Sequence, residues 1–130
     1  MTDQELIAKC EDGSLPATAF HHADHVRTAF AYLQRYPGLD ALQRFSTGLK
    51  QFAKAQGKEN LYHETITWAY LFLINERISQ AAHTLSWEQF ANDNPDLLTW
   101  KESILNRYYR SETLKSDLAR RIFVLPDKLA

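Results

Sequence analysis

One cysteine, one methionine, four glycines and four prolines are spread over 130 residues, and each scarcity excludes something. Cys10 alone cannot form an internal disulfide, which predicts a reducing, cytoplasmic location. The opening Met1-Thr2-Asp3-Gln4-Glu5 is acidic where a secretory leader would be basic, which points the same way. The longest apolar run, residues 68–74, is seven residues long, far short of the roughly 20 that span a bilayer, so no membrane partner is expected. Charge of one sign is also missing: 15 Lys and Arg stand against 16 Asp and Glu, leaving no basic excess to neutralise a phosphate backbone. The chain is therefore not expected to bind nucleic acid. Arg107, Arg110, Arg120 and Arg121 are interleaved with Glu112 and Asp117, the pattern of a solvated helical face more than of an anion site. No Gly-rich phosphate loop occurs, so no nucleotide cofactor is expected. Ser14, Ser46, Ser86 and Cys10 have no elbow motif or neighbouring His/Asp arrangement, so no nucleophile is indicated.

What is present suits a packed interior. Hydrophobic residues make up 45% and aromatics 12%, enough for one core, and no linker interrupts them, so residues 1–130 read as a single domain. Between the Gly and Pro punctuation the period is helical, and no stretch alternates with period two. Thr2 with Glu5 forms a capping-box pattern for a first helix that Gly13 closes, and a connection follows at Leu15-Pro16-Ala17-Thr18. A second helix is expected over residues 21–36, stopped by Pro37-Gly38, and a third over 39–56, stopped by Gly57. A fourth begins after Asn60 as N-cap and reaches Ala82. Ser86 caps a short helix through Ala91, a sixth covers residues 97–109, and the tail from 111 to 123 holds one or two helical turns. The fold class is all-α, a compact bundle of about four main helices plus short C-terminal ones.

Helical wheels sort the side chains. On the third helix Leu39, Leu42, Phe45, Leu49, Phe52 and Ala53 share one side, with charged and polar residues opposite, as in an ordinary surface helix. On the second, Val26, Ala29, Phe30, Tyr32, Leu33 and Tyr36 make an apolar arc. His22 falls at its middle, His25 just inside its edge and His21 at its boundary. On the fourth, Ile66, Tyr70, Leu73, Ile74, Ile78 and Ala81 define the inner arc, which also takes in His63 and Thr67, while Glu64 points outward. Arg77 falls on the inner side at the far end, as a buried ion pair or a snorkelling side chain. Trp68 and Phe72 lie off the main arc, which predicts contact with the C-terminal helices. Trp87 reads as packing.

Short connections make consecutive helices antiparallel neighbours, so the second and fourth run parallel. His22, His25 and His63 therefore arrive at the same end of the bundle. Helix N-termini and burial both favour neutral imidazole, the form that binds a metal or accepts a proton. Three such rings suit Zn, Fe, Ni or Cu, with Tyr62, Thr67 and Tyr70 as supporting donors. A lone inward histidine is more often a core residue satisfied by a hydrogen bond, and that bland reading stands beside the metal one.

Phe20-x-His22-x-x-His25-Val26, Tyr62-His63-Glu64-Thr65-Ile66-Thr67, Arg107-Tyr108-Tyr109 and Phe123-Val124-Leu125-Pro126-Asp127 resemble a group of small bacterial helical proteins over roughly residues 18–127. The resemblance marks His22, His25, His63, Thr65 and Thr67 and implies no particular reaction. A looser, fold-level analogy runs to DinB-like bundles, which hold a metal with three histidines at a different spacing. Two functions follow as expectations. One is a small metal-binding protein or metal-dependent enzyme on His22, His25 and His63, with Tyr62, Thr65, Thr67 and Tyr70 in support. The other is a non-catalytic module that binds a small molecule or a protein, with structural histidines.

Overall fold

The computed structural model describes residues 1–15 and 21–128. The connection expected at Pro16, Ala17 and Thr18, and Phe20 of the first motif, lie outside them. The described residues form α1 (Asp3–Asp12), α2 (His22–Arg35), α3 (Gly38–Ala55), α4 (Glu64–Gln80), α5 (Trp87–Asp93), α6 (Pro95–Leu98), α7 (Ser111–Leu114) and α8 (Asp117–Arg121). Two 3-10 turns, Glu59–Leu61 and Ile104–Arg107, complete them, and no strand occurs among the described residues. The fold is all-α.

The boundaries follow from local chemistry. Thr2 accepts the Glu5 N–H at 3.1 Å, and Gly13, at φ 74°, closes α1 in the left-handed region that glycine enters without strain. α1 packs on both α2 and α3. Contact with α3 is close because Gly48 has no side chain: a Cβ there would stand 3.1 Å from the Cys10 Sγ and 3.4 Å from the Tyr32 hydroxyl. Burial pushes the Cys10 thiol up to about 12, so it is an inert core group. On α3, Leu42, Phe45 and Leu49 are buried as the wheel predicts, whereas Leu39 is 81% exposed. The apolar arc overruns the packed interface by one turn.

Direction is fixed by two contacts at opposite ends. Gly38, where α3 starts, faces Asn75 near the end of α4, with 3.5 Å between its ideal Cβ and the amide nitrogen. At the other end, residues from the starts of α2 and α4 and the end of α3 line one pocket. α3 therefore runs antiparallel to both neighbours, and α2 and α4 run parallel.

α4 is the helix that is covered on two sides. Tyr70 and Ile74 enter the core, while on another face Trp68 stacks on Phe123 at 5.1 Å and Phe72 meets the same ring edge-on at 5.7 Å. These are the C-terminal contacts expected of the off-arc aromatics. Thr65, fully buried, donates to the Ile122 carbonyl at 2.8 Å and accepts from the Val124 N–H at 3.0 Å. Further along, the Tyr109 hydroxyl donates to the Val124 carbonyl at 2.7 Å. Arg77 resolves as an ion pair: its guanidinium grips Asp96 at 2.8 and 3.1 Å and Asn94 at 2.7 Å, tying α4 to α6. Arg120 and Arg121 both pair with Asp117 on an exposed face.

Two expected boundaries are corrected. The sixth helix over 97–109 is absent; α6 ends at Leu98 and a turn leads into the 3-10 segment. The apolar spacing there does fit a helix, but side chains compete for its backbone. The Leu97 carbonyl, which a continuing helix would use, accepts from His22 instead, and Ser103 Oγ takes the Leu105 N–H at 3.2 Å. α4 starts at Glu64 with His63 as N-cap, because His63 rather than Asn60 accepts the free N–H of Ile66.

Candidate functional site

The end of the bundle where α2 and α4 begin is organised by histidines. His21 stays exposed at the head of α2, its N–H held by the Asp24 carboxylate at 2.9 Å. One residue on, His22 donates its Nε2–H to the Leu97 carbonyl at 2.9 Å, since a carbonyl can only accept. Its ring also lies 4.8 Å from Tyr70, edge-on, and 5.0 Å from Trp100. Burial holds His22 below the ordinary histidine range, partly offset by that carbonyl. Burial pushes His25 further, to about 4, with the neighbouring His22 adding to the effect and Asp24 opposing it. Both rings are neutral at pH 7.

His63 has both nitrogens committed. Nδ1 accepts the Ile66 N–H at 3.1 Å and so caps α4, while Nε2–H donates to the Leu114 carbonyl at 2.8 Å. Thr67 returns a bond to the His63 carbonyl at 2.8 Å. Next to it, Tyr62 donates to Glu64 at 2.6 Å, and the same oxygen accepts from the Trp68 indole at 2.9 Å, with Lys50 at 3.5 Å from the other oxygen. Burial, with Glu64 adding to it, raises the Tyr62 phenol well above its usual range. The Tyr70 hydroxyl pairs with Ser103 at 2.7 Å, and burial raises that phenol too.

These groups surround a pocket of about 520 Å³. Val26, Ala29, Phe45, Leu49, Phe52, Ala53 and Ile66 supply most of its wall, and Leu61 and Trp100 extend it outward. His22, His25, His63, Tyr62, Thr67 and Tyr70 add polar atoms, and Gln56 and Lys58 complete the wall. Thus all three inward histidines meet at one place, with three of the four expected supporting residues. Thr65 does not line the pocket; it faces the C-terminal tail. Glu64, expected to point outward, is folded in against Tyr62, Trp68 and Lys50. Sequence reasoning missed Trp100 because the stretch from 97 to 109 reads as one helix, and no signal marks it as a pocket residue. It also passed over Lys58, whose place beside Gly57 at the end of α3 was the available clue.

Meeting in one pocket is not coordination. Among the described residues no three His, Cys, Asp or Glu side chains are arranged to hold a metal ion. The chemistry of His63 supplies a reason. A metal on Nε2 would drive the ring proton to Nδ1, setting N–H against the Ile66 N–H and freeing the first turn of α4. In the arrangement present, His63 therefore offers a metal ion no free ring nitrogen.

Comparison of the chain with protein-family models, curated proteins and solved structures finds no match in any of the three. The reading of the site therefore rests on its geometry.

Proposed function

We propose that the chain is a binding module for a small, largely apolar molecule, and that its histidines shape and fasten the pocket rather than hold a metal. One observation carries this reading: a 520 Å³ apolar pocket in which His22 and His63 spend their Nε2–H groups on the Leu97 and Leu114 carbonyls. A concave, mostly apolar volume with a few convergent polar groups is the ordinary form of a small-ligand site, commonly about 300–1,000 Å³. Buried Cys10 and balanced charge support a cytoplasmic setting without nucleic acid partners.

The test is a thermal-shift and calorimetry screen of aromatic fragments, with Zn²⁺, Fe²⁺, Ni²⁺ and Cu²⁺ as separate arms. Fragments should raise the melting temperature saturably in the wild type and fail to do so in Ala53→Phe, whose added ring fills the pocket. A stoichiometric metal shift that His63→Ala abolishes, with no fragment binding, would reject the proposal in favour of a three-histidine metal site.

A further inference from the structure

The polar end of the occupant is constrained by what the pocket wall carries, a question that rests on the small-ligand reading. Among the described lining residues there is one formal charge, the ammonium of Lys58, and no aspartate or glutamate. Lys58 is exposed and forms no ion pair among the described residues. Of the acids adjacent in sequence to lining residues, Glu64 is engaged by Tyr62, Trp68 and Lys50 and Asp24 by the His21 N–H, while Glu59 stands exposed in the 3-10 turn that follows Lys58. Two large apolar side chains, Leu61 at 73% exposure and Trp100 at 54%, belong to the same wall and stand open to solvent. An occupant that covered them would be apolar along its length, and the only charge it could neutralise is a single positive one.

We propose that the pocket takes an apolar monocarboxylate, an aryl or short acyl body lying against Trp100 and Leu61 with its carboxylate directed to Lys58. A dianion such as a phosphate monoester would bring a second negative charge for which the lining holds no cation, and an organic cation would meet Lys58 as a like charge.

The experiment uses three probes of one shape, 2-naphthoate, 2-naphthamide and 2-naphthylmethylammonium, measured by calorimetry on the full chain. The carboxylate should bind about two- to fivefold more tightly than the amide, the range expected of a solvent-exposed ion pair, with the ammonium weakest. Lys58→Gln should bring the carboxylate-to-amide ratio to about one, and added salt should shrink that ratio in the wild type. An amide that binds as tightly as the carboxylate, or a preference that survives Lys58→Gln, overturns the charge assignment while leaving the pocket reading intact. If none of the probes binds, or if Ala53→Phe binds all three unchanged, the pocket reading fails and the charge assignment falls with it.

Discussion

Acid should destabilise this protein well before its carboxylates titrate, and His25 should be the main cause. In the unfolded chain its imidazole ionises near its ordinary 6.5, whereas in the fold burial holds it neutral down to about 4. Between those values the unfolded state binds a proton that the folded state refuses. Stability is therefore complete above pH 6.5 and falls as the pH drops, levelling off near 4. Each pH unit of the difference is worth about 1.4 kcal/mol, so the full loss is on the order of 3.5 kcal/mol, a large share of a typical stability. His22, lowered by burial as well, adds in the same direction. The strongly paired acids do not confuse the window. Asp12, Asp96, Asp117 and Asp127 all lie below the ordinary carboxylate range, so their losses come at lower pH. The assay is urea unfolding followed by circular dichroism at about pH 7, 6 and 5, comparing wild type, His25→Gln and the exposed-site control His83→Gln. The control should track the wild type, and His25→Gln should show a clearly flatter dependence. Parallel curves for wild type and His25→Gln would refute the assignment of the loss to His25.

Gly48→Ala should destabilise by about 1–2 kcal/mol, although glycine to alanine inside a helix ordinarily gains up to about 1 kcal/mol, because the new methyl meets Cys10 Sγ at 3.1 Å. Denaturant melts in a double-mutant cycle should show the penalty shrinking in a Cys10→Ala background. Thr65→Val, which keeps the shape and deletes the hydroxyl, should cost about 1–3 kcal/mol by orphaning the Ile122 carbonyl and the Val124 N–H. It should also speed hydrogen exchange at Val124, and unchanged exchange there would show that the tail is held by other contacts.

The bundle was legible in the sequence because its information is local. Thr2, Gly13, Pro37 and Gly57 mark where helices begin and end, and the arcs of α2, α3 and α4 repeat with a period that only a helix explains. The convergence of His22, His25 and His63 was legible for the same reason, since it needs only helix phase and the alternation of direction. What the histidines do there was not. The acceptors of His22 and His63 lie 75 and 51 residues away, in short helices whose placement no period encodes. Leu97, Leu98, Ile104 and Leu105 do keep a helical spacing, and the structure overrides it because His22 and Ser103 claim backbone groups that the helix would have used. Glu64 shows a similar limit. The wheel sends it outward, but Tyr62, Trp68 and Lys50 surround it there, so an outward phase on this helix does not mean contact with water.

The bonds from His22 and His63 couple the pocket thermodynamically to the C-terminal quarter of the chain. Each ring is at once part of the pocket wall and a latch on a distant carbonyl, Leu97 for one and Leu114 for the other. Any event that turns a ring out of its bond changes the free energy of peeling residues 97–128 away from α2 and α4. By reciprocity, any strain that peels that segment changes the affinity of the pocket by the same factor. Occupancy should then be visible as slower local opening of a segment that, apart from Trp100, lines none of the pocket. A partner that pulled on the C-terminal segment would, by the same linkage, empty the pocket without entering it.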